Sequence, residues 1–216
     1  MRPLERLDLA ELGRALMALR LDGWLLFDFH GLNPVAGRLL GLEGLATRRL
    51  FVWLPASGKP VAVAHKIELQ ALEGFPGEVR PYAAWQELHA ALGALVKGRR
   101  VALEYSPDDA VPYLDRVPAG VVDLLRKLGA EVVSSAGLVT RFAARWSPGE
   151  LADHRRAAEL LADIARTTLK DVGRRVGTSE FEVRQEVLER IAGAGLVTNA
   201  PPIVAFGANS AGFDDP

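Results

Sequence analysis

Residues 50–64 read LFVWLPASGKPVAVA, and this stretch predicts paired β-strands. Two short apolar runs, residues 50–54 and 61–64, contain aromatic and β-branched side chains that favour extended backbone. The segment between them contains Pro55 and Gly58, which are residue types that favour a tight turn. We therefore predict two strands joined as a hairpin, and with them a sheet in this part of the chain.

Helical and strand patterns alternate on both sides of this hairpin. Apolar residues at spacings of three and four predict amphipathic helices, whereas short apolar runs predict strands. Such alternation is typical of an α/β domain whose mixed sheet is flanked by helices. The predicted helices are residues 4–20, 84–96 and 119–128, and the further predicted strands are residues 24–29, 100–105 and 131–134.

The character of the sequence changes near residue 145, where we predict a boundary between two domains. Ser147 and Glu150 form a capping-box sequence with Pro148 at the first helical position, and a long helix follows to about residue 173. The predicted domains are residues 1–144 and residues 145–216.

The second predicted domain contains few secondary-structure elements. Ser179 and Glu182 form another capping-box sequence, and the helix that they begin ends at the glycines near residue 193. An apolar stretch at residues 201–206 predicts one strand that leads into a Gly/Asn loop. Two helices and one strand make a poor core on their own, so we expect an incomplete, truncated domain here.

Composition excludes several classes of function. The 216 residues contain no cysteine, which excludes disulfides, thiolate metal ligands and a cysteine nucleophile. The formal net charge is −1, so no global charge favours binding to nucleic acid. The chain shows no signal peptide and no run of about 20 apolar residues that would span a membrane. We therefore expect a cytoplasmic protein that binds neither nucleic acid nor membranes.

Three motifs occur in an order and at a spacing that resemble a known family. They are RWSPGEL at residues 145–151, GTSEFEV at residues 177–183 and PPIVAFGANS at residues 201–210. Together they are similar to the opening of the creatinase/prolidase, or pita-bread, metallopeptidase domain. This resemblance implies a creatinase-like N-terminal domain over residues 1–144, followed by the first helices and strand of a pita-bread α+β domain.

The resemblance also implies an activity, which is hydrolysis of the Xaa-Pro bond by a dipeptidase or an aminopeptidase. Enzymes of the family use two divalent metals (Mn, Co or Zn) held by two Asp, one His and two Glu side chains. Those ligands follow the loop at residues 207–210 in the family, so we assign no catalytic residue and no metal ligand to this chain. We expect the segment alone to be inactive and to bind no metal tightly. We expect the complete protein to be a homodimer that binds proline-containing dipeptides or oligopeptides.

A loop after the first strand holds the candidate substrate-binding residues. Asp28 and His30 lie at the carboxyl end of a predicted strand, where α/β sheets tend to place groups that bind ligands. This segment resembles a loop of the family, which implies that Asp28, His30, Asn33 and Arg38 contact substrate. Asn33 beside Pro34 could instead form a turn, and Arg38 could be a surface charge.

Two alternatives stay open at the level of the sequence. Counted from Asn209, the position of the family's histidine falls on Asp214. Either two residues are inserted here and the histidine follows residue 216, or the histidine is absent, which would suit a non-catalytic member that acts in binding or assembly. A related hydrolase that acts on substrates other than peptides would share the same fold, because a fold does not determine a substrate. Glu150 and His154 are one helical turn apart, but we interpret them as part of a solvated polar face.

Overall fold

The computed structural model describes residues 3–41 and 47–213, with side chains up to residue 210. The chain divides into two compact units, Met1–Arg145 and Trp146–Pro216. The sequence placed the boundary one residue earlier, between residues 144 and 145. Each unit is described below by itself.

The first unit is built on a sheet, in which the described residues form six strands in the order β4-β3-β2-β1-β5-β6. β1 and β2 pair antiparallel, as do β2 and β3, whereas the other three pairs are parallel. The predicted mixed sheet is therefore confirmed. The strands are β1 Gly23–Asp28, β2 Leu50–Pro55, β3 Val61–His65, β4 Glu78–Tyr82, β5 Arg100–Leu103 and β6 Glu131–Ser134.

The hairpin predicted from residues 50–64 is present as β2 and β3, with Phe51 opposite Val63. β4 had no counterpart in the sequence analysis, because Glu78 and Arg80 interrupt its apolar pattern and Pro81 disfavours strands. This strand lies at the edge of the sheet, where half of its backbone needs no partner, and it pairs with β3.

Helices cover both faces of the sheet. Alternate residues of a strand point to opposite faces, so Trp24 and Leu26 belong to one core cluster and Leu25 and Phe27 to another. Both clusters contain fully buried leucines from the flanking helices. The helices of this unit are α1 Leu9–Ala18, α2 Pro34–Leu40, α3 Trp85–Val96, α4 Ala119–Lys127 and the short α5 Ala136–Leu138, which continues into a π-helical turn at Val139–Ala143.

α1 begins later than the sequence predicted. Asp8 is its N-cap, and the Asp8 carboxylate accepts a hydrogen bond of 2.9 Å from the Glu11 backbone N–H. Leu4 has a positive φ of 63°, so the chain before Asp8 is not helical although Leu4 and Leu7 are buried. The apolar spacing detected burial correctly and missed the cap.

The second unit consists of two helices, α6 Pro148–Val172 and α7 Glu180–Gly193. Both begin with the capping boxes that the sequence predicted, at Ser147 and at Ser179. Arg190 joins the two helices through an ion pair of 2.6 Å with Asp171. Among the described residues of this unit, only Thr168, Val183 and Ile191 are buried.

The strand predicted at residues 201–206 is not present, so this prediction is wrong. These residues have no regular secondary structure, and a short 3-10 helix, Gly207–Phe213, follows them. A strand needs a neighbouring strand to pair its backbone N–H and C=O groups. Residues 146–213 contain no other strand, so the apolar pattern alone does not produce one.

Candidate functional site

The carboxyl ends of three parallel strands lie side by side in the sheet, and buried polar side chains cluster there. β1, β5 and β6 run in one direction, so their carboxyl ends are neighbours. Asp28 is the last residue of β1, Glu104 follows β5 directly, and Ser135 follows β6 directly. All three side chains are buried. Polar groups taken from water must find partners, and the loop after β1 supplies many of them.

Residues 28–33, called the loop below, run from the last residue of β1 to the N-cap of α2, and the buried carboxylate of Asp28 fixes their backbone. One carboxylate oxygen accepts a hydrogen bond from the Gly31 N–H at 3.0 Å, and the other accepts one from the Asn33 N–H at 3.0 Å. His30 and Gly31 have φ values of 60° and 69°, which turn the chain back towards Asp28. Gly31 adopts this conformation freely, whereas the His30 backbone is strained.

Asn33 is buried and uses every polar group that it has. Its side-chain oxygen caps α2 by accepting from the N–H groups of Val35 and Ala36. Its side-chain N–H₂ donates to the Phe27 carbonyl at 2.7 Å and to the Glu104 carboxylate at 2.9 Å. Asn33 therefore connects the strand, the helix and the buried carboxyl in one place.

Glu104 is a fully buried carboxyl that has only neutral partners among the described residues. Oε1 accepts from the Trp24 indole N–H at 2.5 Å and from the Ser135 hydroxyl at 3.2 Å, while Oε2 accepts from Asn33. Burial raises the pKa of Glu104 to about 7, although the hydrogen bonds from Trp24, Asn33 and Ser135 favour the ionised form. Desolvation is the larger effect because the part of the chain that the structure describes places no cation beside this carboxyl.

The outward side of the same loop exposes an imidazole and two apolar side chains. Phe29, His30 and Leu32 are all exposed, and the His30 ring lies against the edge of Phe29 with ring centroids 4.3 Å apart. Buried hydrogen bonds thus fix the backbone of this loop, and its exposed side chains are available to a ligand. An imidazole in this position can donate or accept a hydrogen bond.

The four residues predicted to contact substrate have different surroundings. Asp28 and Asn33 are buried and their polar atoms bind the loop and its neighbours, whereas His30 points outward. Arg38, on α2, is half-buried and donates a hydrogen bond of 3.0 Å to the Arg145 carbonyl. The structure brings Asp28, His30 and Asn33 into one loop, and substrate contact by any of the four stays a prediction.

Sequence reasoning missed Glu104 and Ser135 as members of this group. The signal was present, because Glu104 is a carboxylate that directly follows the apolar run Val101–Leu103 of β5. Trp24 is buried in the core, and its indole N–H needs the partner that Glu104 provides.

In the second unit, the structure brings together two of the sequence motifs. The Glu180 carboxylate, in the GTSEFEV motif, accepts from the Phe206 backbone N–H at 2.6 Å and from the Asn209 side chain at 2.9 Å. Phe206 and Asn209 belong to the PPIVAFGANS motif. These hydrogen bonds, with the Phe206 bond the stronger contributor, hold the pKa of Glu180 below its ordinary value.

Over residues 3–41 and 47–213, no three His, Asp or Glu side chains come together as a metal-binding group. Asp214, on which the count to the family's histidine falls, lies outside the described residues. His154 packs against Trp146, with ring centroids 4.3 Å apart. No helix in the part of the chain that the structure describes has the length and apolar character to cross a membrane.

Solved structures that are similar to this chain include prolidases and dipeptidases. A prolidase from Thermococcus sibiricus matches 98% of this chain with a TM-score of 0.65 and 19% identity, and the match covers 56% of that protein. Dipeptidase PepE from Mycobacterium ulcerans (TM-score 0.63, 20% identity) and a prolidase from Pyrococcus horikoshii OT3 (TM-score 0.54, 15% identity) each match 86% of the chain and are covered to 48%.

The chain thus spans about half the length of these structural neighbours. No protein-family model matches it, and no curated protein matches it. At these identities the comparison establishes the fold. The creatinase/prolidase fold that the sequence resemblance implied is confirmed.

Proposed function

We propose that the natural protein containing these residues is an Xaa-Pro peptidase, acting as a dipeptidase or as an aminopeptidase. The observation that carries this proposal is the shared fold over 98% of the chain with a protein named as a prolidase. Two independent features support it: the three sequence motifs occur in the family's order, and the loop after β1 exposes an imidazole on a fixed backbone. Because folds host many functions, the activity needs a direct test.

The proposed activity would require two divalent metals (Mn, Co or Zn) to supply Lewis-acid chemistry. The described residues of this chain do not fit such a centre, because no three potential ligands lie together among them. We therefore propose that other residues of the protein hold the metals. The part assigned to this chain is substrate binding.

His30 is the residue that we propose for substrate contact. Its imidazole can hydrogen-bond to a peptide group or to a terminal carboxylate, and the exposed Phe29 and Leu32 offer apolar surface to a proline ring. We also propose that the complete protein is a homodimer, since a two-fold interface would allow this loop to reach a site on the other subunit. Light scattering that gives a monomer mass would contradict the dimer.

The activity test uses the complete protein with Mn²⁺ and a panel of Xaa-Pro dipeptides and longer peptides. We expect turnover only when proline follows the scissile bond. Absence of turnover on every proline substrate, with bound metal demonstrated, would overturn the proposal. It would favour a non-catalytic binding protein or a hydrolase of other substrates on the same fold.

His30→Ala tests the assignment of this loop within the complete protein. We expect KM to rise by about tenfold, roughly the effect of one hydrogen bond, with a smaller change in kcat. His89→Ala is the matched control, since His89 also packs against an aromatic ring, that of Trp85, but lies on α3. Equal effects of the two substitutions would contradict a role of His30 in binding.

Metal binding by the 216-residue chain is tested separately by calorimetric titration with Mn²⁺ and with Zn²⁺. We expect no stoichiometric site of submicromolar affinity. Such a site would contradict the proposal that other residues hold the metals.

A further inference from the structure

The carboxyl group of Glu104 has no part in the function proposed above, yet it is the most deeply buried acid among the described residues. A buried carboxyl without a cationic partner is costly, so its presence calls for a reason. Its three hydrogen-bond donors come from β1, from the loop after β1 and from the residue after β6. Glu104 therefore joins three segments at the edge of the sheet that carries the candidate loop.

We propose that Glu104 is a positioning residue for His30, and that it fixes the loop of residues 28–33 through its hydrogen bond to Asn33. The role in substrate binding rests on the proposed function. The role of Glu104 in fixing the loop does not depend on that function, and it can be measured without an activity assay.

The connection from Glu104 to His30 runs through consecutive contacts. Glu104 accepts from the Asn33 side chain at 2.9 Å, and the Asn33 backbone N–H donates to Asp28 at 3.0 Å. Asp28 also accepts from Gly31, so the His30 backbone lies between two residues bound to the same carboxylate. The strained φ of His30 persists only while its surroundings impose it.

A carboxyl group fits this position, and an amide does not. Oε1 faces two donors and Oε2 faces a third, so a glutamine would direct its N–H₂ group at one of them. In one amide orientation that group meets the N–H₂ of Asn33. In the other it meets the indole N–H of Trp24. Either way two donors oppose each other and one buried group stays unpaired.

The protonated carboxyl remains compatible with the same contacts. Its O–H can donate to the Ser135 hydroxyl, which can act as an acceptor, while Oε2 still accepts from Asn33. The groups facing Glu104 are Trp24 from β1, Asn33 from the loop and Ser135 after β6, and Asp28 is the charged group beyond Asn33. Loss of the negative charge weakens the hydrogen bond to Asn33 without removing it.

The test measures hydrogen exchange of backbone amides by NMR in Glu104→Gln. The informative amides are those of Gly31 and Asn33, which donate to Asp28, with Val52 of the central strand β2 as the internal reference for global unfolding. We expect exchange at Gly31 and Asn33 to accelerate by roughly tenfold or more relative to Val52, together with shifted His30 ring signals.

Ser135→Ala is the matched control, because it removes a hydrogen bond to Oε1 and leaves the bond from Asn33 to Oε2 intact. We expect its loop amides to exchange at the wild-type rate relative to Val52. Glu104→Gln with wild-type relative exchange and unchanged His30 signals would overturn the proposal. So would equal loosening of the loop by both substitutions.

If Glu104→Gln does not fold, a protein that retains Glu104 supplies the second measurement. The Glu104 side-chain carbon and the Asn33 side-chain amide are followed by NMR from pH 5.5 to pH 8.5, in a His30→Ala background that removes the imidazole of the loop. We expect both signals to change with one midpoint. An Asn33 signal that does not respond to ionisation of Glu104 would overturn the proposal.

Kinetics of the complete protein separate this proposal from the proposed function. If the peptidase activity exists, Glu104→Gln should raise KM about as much as His30→Ala and change kcat less. If no proline substrate is turned over, the proposed function fails, and the exchange data still decide whether Glu104 positions the loop.

Discussion

The two units differ most in how their helices relate to burial. The helices of the second unit have the better sequence signals, because Ser147 and Ser179 cap them in complete capping boxes. In the first unit, α3 and α4 begin after Ala84 and Pro118, neither of which provides a side-chain cap. Yet α3 buries four residues, whereas the 25-residue α6 buries only Thr168. Local signals set where a helix begins, and a neighbouring sheet sets how much of it is buried.

The exposed apolar side chains of the second unit follow from this difference. Leu169 is 75% exposed, Phe181 is 65% exposed and Ile203 is 73% exposed. Residues 146–213 provide no sheet to cover them, and ion pairs such as Arg190 with Asp171 contribute little at the surface. We therefore expect the second unit to unfold before the first.

The largest expected effect is a difference in stability between substituting a buried leucine of the sheet and substituting an exposed leucine of α6. Leu26 is fully buried in β1, so Leu26→Ala should lower the free energy of unfolding of the first unit by about 2–5 kcal/mol. Leu169→Ala, on the exposed face of α6, should change stability by less than about 0.5 kcal/mol. Urea titrations followed by circular dichroism measure both. Comparable losses would show that the face of α6 is buried in solution.

The next effect is a pH dependence of opposite sign in the two units. The pKa of Glu104 is raised from 4.5 to about 7, so the folded first unit keeps a proton that the unfolded chain has lost. This contribution is complete below pH 4.5 and is lost as the pH rises through about 7. It changes stability by up to about 1.4 kcal/mol per pH unit and by about 3 kcal/mol in total.

In the second unit, hydrogen bonds and ion pairs with Arg190 and Arg175 hold the pKa values of Asp171 and Glu186 below their ordinary range. Their contribution is therefore present at neutral pH and is lost as the pH falls through those lowered values. Denaturation of wild type and of Glu104→Gln between pH 4 and pH 8 separates the contribution of Glu104 from those of Asp171 and Glu186. Equal pH slopes between pH 4.5 and pH 7 would contradict the role of Glu104.

A smaller effect is expected from removing a helix cap. Ser147 accepts from the Glu150 N–H at 3.2 Å, and the Glu150 carboxylate accepts from the Ser147 N–H at 2.7 Å. Ser147→Ala should destabilise α6 by about 1 kcal/mol, seen as faster amide exchange in its first turn. Asn33→Ala is the comparison in the first unit and should cost more, since that cap is buried. A larger loss of stability in Ser147→Ala than in Asn33→Ala would contradict this ranking of the two caps.

The smallest expected effect relieves the strain in the candidate loop. His30 has a positive φ that glycine adopts freely, so His30→Gly should raise the stability of the first unit by about 0.5–1 kcal/mol. The same change removes the imidazole, so KM of the complete protein should rise. A thermal melt records the stability change. A variant less stable than wild type would show that the contact with Phe29 outweighs the backbone strain.

Much of the first unit was predictable because its signals are local. The apolar runs of β2 and β3 with a Pro/Gly turn between them predicted the hairpin, and apolar spacing predicted α3 and α4. α2 was not predicted. For its N-cap Asn33 and its first residue Pro34, the sequence analysis considered substrate contact by Asn33 or a turn, and the first turn of a capped helix closely resembles such a turn.

The candidate site was predictable only in part. Asp28 and His30 could be placed from the sequence because they directly follow an apolar strand. Glu104 and Ser135 are 71 or more positions away from Asn33, and only the parallel pairing of β1, β5 and β6 brings them to one edge. No local pattern encodes that pairing.

The amino-acid sequence by itself determined the ends of the long helices, the central hairpin and the resemblance of three motifs, because caps, turns and apolar periods act over a few residues. The tertiary structure alone decided that residues 201–206 form no strand, that α6 leaves its apolar face exposed and that Glu104 lies beneath the candidate loop. Each of these depends on which segments become neighbours. Pairing of strands and desolvation of a carboxyl are properties of that neighbourhood, so they become visible only once the chain is folded.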